Sequence, residues 1–289
     1  MSTQPEVIRE SDVSLHIRRV VSYIVLIFLA CLCLFPFLFL IVYTTRSHVE
    51  IQQGFSLLPS KYFGYNFKNV MDYVQFPLYK GMINSAIVSF SATLLCVYFS
   101  AFTAYGVHVY DFKIKRGVYT FILMVMMVPT QVSALGFLDM VYAWNLDDTF
   151  WPLIIPSIAA PAIMFFMKQY MEASLPIEIV EAARIDGCNE LRIFNTIITP
   201  ILQPAFAVQA IFTFVGNWNN YFMPQLILTD KNKQTLPVLI ALVRNASPSD
   251  DDQGKAYMYM ALAILPVVIV YLFLSKFIIR GVTLGAVKG

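Results

Sequence analysis

Asn217, Trp218, Asn219 and Asn220 stand together inside an apolar run covering 193–229. Side-chain amides hydrogen-bond hydroxyl groups, and an indole face stacks on the apolar face of a sugar ring. Polar side chains at membrane depth face the bundle interior or a water-filled path. The quartet is therefore the candidate lining for a hydroxylated solute. Its competing reading is structural, with amides bonding helix to helix and Trp218 anchoring at the interface.

A second set of residues could do mechanical work. The segment 174–204 reads SLPIEIVEAARIDGCNELRIFNTIITPILQP, a charged stretch between long apolar runs. Ser174 and Pro176 are expected to start a helix, one as hydroxyl cap and the other in the first turn. Glu178 and Glu181 fall in its early turns, where the helix dipole favours negative charge. Ala182 and Ala183 leave a smooth patch that another backbone can approach. Gly187 sits where a helix end needs positive φ. Asn189 is expected to cap a second short helix that places Leu191, Phe194 and Ile198 along one face, with Pro200 closing it. The product is a helix, a glycine hinge and a helix: an elbow continuous with the run 193–229. An amphipathic loop lying on headgroups would show much the same pattern.

Other chemistries are absent from the sequence. No G-x-x-x-x-G-K-[ST] occurs, so the chain lacks the P-loop route to ATP. Cys31, Cys33, Cys96 and Cys188 have no ligand-spaced company and imply neither a disulfide framework nor a metal site. No Asp, Glu, Lys or Arg falls mid-run, as a proton relay would require. His108 is expected at an interface. Asp250, Asp251 and Asp252 read as a solvated loop rather than a cation site.

The elements that must position these residues follow from composition. Of 289 residues, 58% are hydrophobic and 13% charged, with mean hydropathy +0.66. Soluble domains carry roughly 25% charged residues, so the chain is expected to be an all-α integral membrane protein. A net charge of +2 offers nothing to nucleic acid. The runs 20–45, 81–110, 117–138, 149–167 and 256–275 each approach or exceed the ~20 residues that cross ~30 Å of hydrocarbon. A sixth, 193–229, is longer than one crossing needs and carries Pro200, Pro204 and Pro224, so it is expected to hold an amphipathic entry, one span and an exit at membrane depth. Six transmembrane helices follow, with the elbow 174–204 between the fourth and fifth. The pair Arg18-Arg19 against the first run places both termini inside. The expected division is an inner segment 1–19, a six-span domain 20–279 and an inner tail 280–289. The first run is too long for a signal-peptide core. Outer loops are expected at 46–80, rich in aromatic residues, and at 230–255.

The residues Glu181-Ala182-Ala183, Asp186-Gly187, Phe194, Pro200 and Pro204 closely resemble the EAA loop of ABC importer permeases, the binding-protein-dependent inner-membrane components. Asn84-Ser85, Met127-Val128-Pro129, Asn217-Trp218-Asn219 and the ending from Gly281 to Gly289 resemble the carbohydrate branch, in the form of the maltose-type second permease. The resemblance covers about 15–289, with Cys188 standing where Ala is usual. It implies a non-catalytic permease of the plasma (inner) membrane whose elbow docks in a cleft of a cytoplasmic ATPase dimer, Glu181 being a contact and Gly187 the hinge. It implies further a second permease subunit as heterodimer partner, an extracytoplasmic solute-binding protein, and a sugar or oligosaccharide as cargo. No cofactor belongs to this chain; ATP and Mg would be used by the ATPase. The rival from another class is a stand-alone secondary carrier or channel for a small polar solute.

Overall fold

A computed structural model describes residues 12–74, 77–244 and 252–286. Phe76, Asp250 and Asp251 lie outside the described residues, as do 1–11 and 287–289. The described chain is helical throughout: α1 Asp12–Thr44, α2 His48–Gln52, α3 Phe63–Met71, α4 Leu78–Val109, α5 Lys115–Val125, α6 Thr130–Ala143 and α7 Trp151–Ile154, which runs on as a 3₁₀ turn Ile155–Ile158. After it come α8 Pro161–Ser174, α9 Ile177–Ile185, α10 Glu190–Arg192, a π-helical turn Ile193–Ile198, α11 Thr199–Ile201, α12 Gln203–Trp218, α13 Phe222–Ile227, α14 Leu236–Arg244 and α15 Gln253–Ala286.

Four stretches among the described residues are long and apolar enough to cross a membrane: Arg18–Thr44, Leu78–Val109, Trp151–Ser174 and Gln253–Ser275. The run 117–138 is not one straight helix. It is split into α5 and α6, which meet at 94°. Pro129 causes the break, because its ring pushes Val128 out of the helical region and α6 restarts behind it. The run 193–229 is bent likewise, by 83° between Glu190–Ile201 and Gln203–Trp218. Counting each bent pair as one span brings the total to six.

Residues 12–19 are the first turns of α1, a single helix of 33 residues, whose stretch long and apolar enough to cross a membrane begins at Arg18. The tail from 280 likewise continues α15 without a break to Ala286. The run 149–167 continues as helix for seven further residues, to Ser174 at the end of α8. Lys168 is 9% exposed, ion-paired with Glu172 one turn on and set 4.5 Å above the Tyr119 ring.

The chain divides into two compact units. The first joins the residues up to Lys68 to Asp252–Ala261. Its loop after α1 is folded and tightly bonded. Ser47 and Glu50 form a capping box at α2, the reciprocal pairing that satisfies two free amides. Asn66 donates to the carbonyls of Thr44 (2.8 Å) and Arg46 (2.9 Å), and Phe39 stacks on Phe55 at 5.8 Å. Tyr257 meets Tyr43 edge-on at 5.0 Å.

The second unit is built around α4, on which α8 and α12 pack. Small residues allow that approach: Ser89, Ala92, Ala101 and Ala104 are all fully buried, the substitution pattern of close-packed membrane helices. At its other end α4 holds α14. The Asn84 amide donates to the carbonyls of Asn232 (2.9 Å) and Gln234 (3.0 Å), and the Ser85 hydroxyl accepts from Leu236 N at 2.8 Å.

Asp148 ties the α6–α7 connection to the segment after α13. Its carboxylate accepts from Thr229 N (2.6 Å) and Asp230 N (2.7 Å) and from the Thr229 hydroxyl. The Asp230 amide, then the Thr229 hydroxyl, hold its carboxyl below the usual carboxylate range. A depressed folded value means the stabilisation is fully present above the unfolded value of about 3.9 and disappears as pH falls through the folded one. Thermal unfolding midpoints should therefore be flat from about pH 5 upward and drop below about pH 4. Asp148→Asn should lower the neutral midpoint and flatten the acid limb. An acid limb as steep in that variant as in the parent would place the titrating group elsewhere.

Candidate functional site

The segment 174–204 is an elbow whose first arm covers the residues the sequence marks. Helix α9 spans Ile177–Ile185, with Pro176 at its N-cap in extended backbone. Ser174 does not cap it. It is the last residue of α8, and its hydroxyl donates back to Tyr170 O at 2.7 Å. The chain therefore starts α9 on Pro176 geometry and on the favourable charge of Glu178 alone.

The corner is a complete Schellman turn. Asp186 is the C-cap, Gly187 takes φ +80°, Gly187 N donates to Arg184 O and Cys188 N to Ala183 O, both at 3.0 Å. This pairing satisfies carbonyls that a helix end otherwise leaves free. Asn189 then caps the second arm, its side chain accepting from Arg192 N at 2.8 Å.

The second arm departs from a regular helix. Ile193–Ile198 form a π turn, and Thr199 N reaches back to Phe194 O. Pro200 lies inside the short helix α11 and does not terminate the arm. Pro200 has no N–H for the carbonyl four residues earlier and its ring crowds that carbonyl, which widens the preceding turn. Pro204 in the first turn of α12 completes the bend. The altered register also sorts the expected face. Ile193, Phe194 and Ile198 are fully buried, whereas Leu191 is 59% exposed.

The elbow thus has two sides. Val180, Ala183, Ile193, Phe194 and Ile198 belong to one apolar cluster with Ala101, Ala104 and Tyr105 of α4 and Met167 and Met171 of α8. Glu178, Glu181, Ala182, Asp186, Gly187 and Pro200 are exposed, and Ile185 is 87% exposed. Ile185 thus stands bare on the same arm as the exposed Glu181 and Ala182.

Sequence reasoning missed the polar centre of this corner. Arg184 Nε donates to Glu190 Oε1 at 2.7 Å, and the Tyr105 hydroxyl donates to Glu190 Oε2 at 2.6 Å. The Arg184 guanidinium lies 5.1 Å from the Tyr110 ring centre, and the carboxylate of Glu190 raises its already high pKa. A six-residue spacing across a glycine turn has no periodic signal, and Tyr105 is 85 positions away from Glu190.

The amide quartet lies at the far end of α12. Trp218 is 3% exposed, its ring stacked on Phe214 at 5.6 Å and its indole N–H donating to Ala263 O at 3.1 Å. Within this chain its faces and its donor are taken. Asn217 donates to Thr213 O in its own helix, and Asn219 is exposed. His108 lies half-buried near the end of α4, 3.3 Å from Leu175 O.

Comparison with known proteins agrees with this architecture. The chain is 36% identical over 211 residues, 73% of its own length and 74% of the relative's, to the arabinooligosaccharides transport system permease protein AraQ of Bacillus subtilis (strain 168). It is 30% identical over 278 residues, 94% of its length and 98% of the relative's, to the trehalose/maltose transport system permease protein MalG of Thermococcus litoralis. Its fold is similar to a chain in the crystal structure of a bacterial ABC transporter involved in the import of the acidic polysaccharide alginate. That likeness has a TM-score of 0.76 at 21% identity and covers 94% of this chain and 99% of that one. Residues 96–284, which hold the elbow, the bent pair beyond it and most of α4's partners, match the family described as the binding-protein-dependent transport system inner membrane component, and the chain belongs to that family.

Proposed function

We propose that this chain is a non-catalytic permease subunit of an ATP-binding cassette importer that moves a sugar or short oligosaccharide across the plasma membrane. The observation that carries the reading is the two-sided elbow. Its root, Phe194, is fully buried among span residues, while Glu181, Ala182 and Ile185 are left bare. An element anchored this way can deliver an outside push into the bundle.

In this reading α1, α4, the stretch Trp151–Ser174, α15 and the two bent pairs are six spans, 20–279 is the membrane domain, and both termini are cytoplasmic. The EAA loop lies between the fourth and fifth spans on the cytoplasmic side. It contacts an ATPase dimer through Glu181, Ala182 and Asp186, with Gly187 as hinge and Ala183, Phe194 and Pro200 as root. ATP and Mg are used by that dimer. A second, different permease subunit completes the pathway, and a solute-binding protein docks on the opposite side. Asn217, Asn219 and Asn220 line the path, with Trp218 holding them in place. Relatives named for arabinooligosaccharides, trehalose/maltose, lactose and melibiose/raffinose/stachyose support a carbohydrate cargo.

Vesicles containing this chain with its second permease, ATPases and binding protein should take up such an oligosaccharide only when ATP is enclosed. Vesicles holding this polypeptide alone should take up none, with or without an ion gradient. Gradient-driven uptake by the single chain would favour the stand-alone carrier and overturn the assignment.

A further inference from the structure

The elbow's covalent route into the bundle is poor. Beyond its second arm the chain turns by 83° between Glu190–Ile201 and Gln203–Trp218, with a π turn on one side of the bend and Pro204 on the other. A displacement of α9 passed along that route would be absorbed at the bend. The apolar cluster under the elbow offers a second route, but burial is non-directional.

One side chain supplies direction. We propose that Glu190 is the positioning residue that links elbow to bundle, one carboxylate oxygen holding Arg184 of the first arm and the other holding Tyr105 of α4. The three residues form an unbroken chain of contacts from α9 to α4, with the Arg184 and Glu190 side chains about a third exposed. Arg184 lies on the last turn of α9, Glu190 begins α10 just past the Gly187 hinge, and Tyr105 is one turn from the end of α4. The two bonds are 2.7 and 2.6 Å, the short lengths of charge-assisted hydrogen bonds. Tyr110, the residue that caps α4, carries the Arg184 guanidinium over its ring and meets Tyr105 edge-on at 6.4 Å. Tyr105 is only 2% exposed, so its hydroxyl is held by packing and cannot follow Glu190 by rotating away. Because α8 and α12 both pack on α4, a shift handed to Tyr105 reaches the centre of the second unit without passing the bend.

This inference rests on the elbow being the docking element, and its test separates the two. The full transporter would be reconstituted with the parent chain, Glu190→Gln, Tyr105→Phe and the double variant, and ATP hydrolysed per solute imported would be measured. Losing a hydrogen bond to a charged group corresponds to about a tenfold change in an equilibrium. Each single variant should therefore raise the ATP-to-solute ratio about tenfold while the ATPase still co-purifies in full stoichiometry. The double variant should be no worse than the worse single, since both remove one link. A ratio within twofold of the parent in both singles overturns the proposal, as does a double variant whose effects multiply. So does a lowered thermal midpoint with an unchanged ratio, the mark of a merely structural bond. The docking reading fails separately, if Glu181→Lys and Ile185→Asp on an otherwise parent chain leave ATPase binding intact.

Discussion

Gly187→Pro should reduce ATP-driven uptake about 100-fold while leaving membrane insertion unchanged. The residue sits at φ +80°, which proline's ring, locked near −65°, cannot reach. Proline would also delete the Gly187 N–H that closes on Arg184 O. A cost of ~3 kcal/mol or more follows, equivalent to about two powers of ten in the population of the native corner. Space is not the issue, because nothing lies within 4 Å of where a Cβ would stand. The series is therefore graded by backbone alone. Gly187→Asn should stay within about threefold of the parent, since Asn tolerates the left-handed region. Gly187→Ala should fall between, at a cost of ~1 kcal/mol. If proline and alanine give equal uptake, the corner geometry is not what uptake depends on.

The parts of this elbow that were legible in the sequence are those governed by local chemistry. The limits of α9, the positive φ of Gly187 and the cap by Asn189 all follow from what a few neighbouring residues can do with their own backbone. The Ser174 cap failed for a reason equally local. A serine one residue beyond Glu172-Ala173 can close the previous helix as readily as open the next, and Leu175-Pro176 in extended backbone already sets the boundary. The two bends were half legible. Pro129, Pro200 and Pro204 were in plain view, but hydropathy counts residues along a run and is blind to a change of direction. The run 117–138 reads as a single crossing, whereas the excess length and prolines of 193–229 announce an entry, a span and an exit without giving their angle.

What could not be read was anything set by residues distant in the chain. Leu191, Phe194 and Ile198 are spaced for one face of an α-helix, yet the π turn rotates Leu191 off it. Glu190 is one charge in a polar stretch, and nothing near it in sequence foretells Tyr105. Trp218 carried the same ambiguity between a binding face and a packing face. Within this chain its ring stacks on Phe214, one turn away, and its N–H donates to the Ala263 carbonyl, 45 residues away.

Phe194→Ala should have the second large effect, and it separates anchoring from docking. The ring is fully buried and sits among three others on α4: Phe102 at 5.1 Å, and Tyr98 and Tyr105 at 5.6 Å each. Truncating a buried Phe to Ala costs about 3–5 kcal/mol, combining lost transfer energy with the cavity left behind. Offset and edge-on ring pairs add roughly 0.5–1.5 kcal/mol beyond area. The exposed contact surface is untouched, because Glu181, Ala182 and Ile185 lie on the other side of the first arm. The variant chain should therefore still hold its ATPase partner and still permit hydrolysis, yet import little, since the arm would move in its own cavity instead of moving α4. Phe194→Leu keeps most of the volume and should recover at least half of the parent uptake. Loss of ATPase binding in Phe194→Ala would mean that the buried root shapes the docking face itself, and the division of the elbow into a gripping side and a pushing side would be wrong.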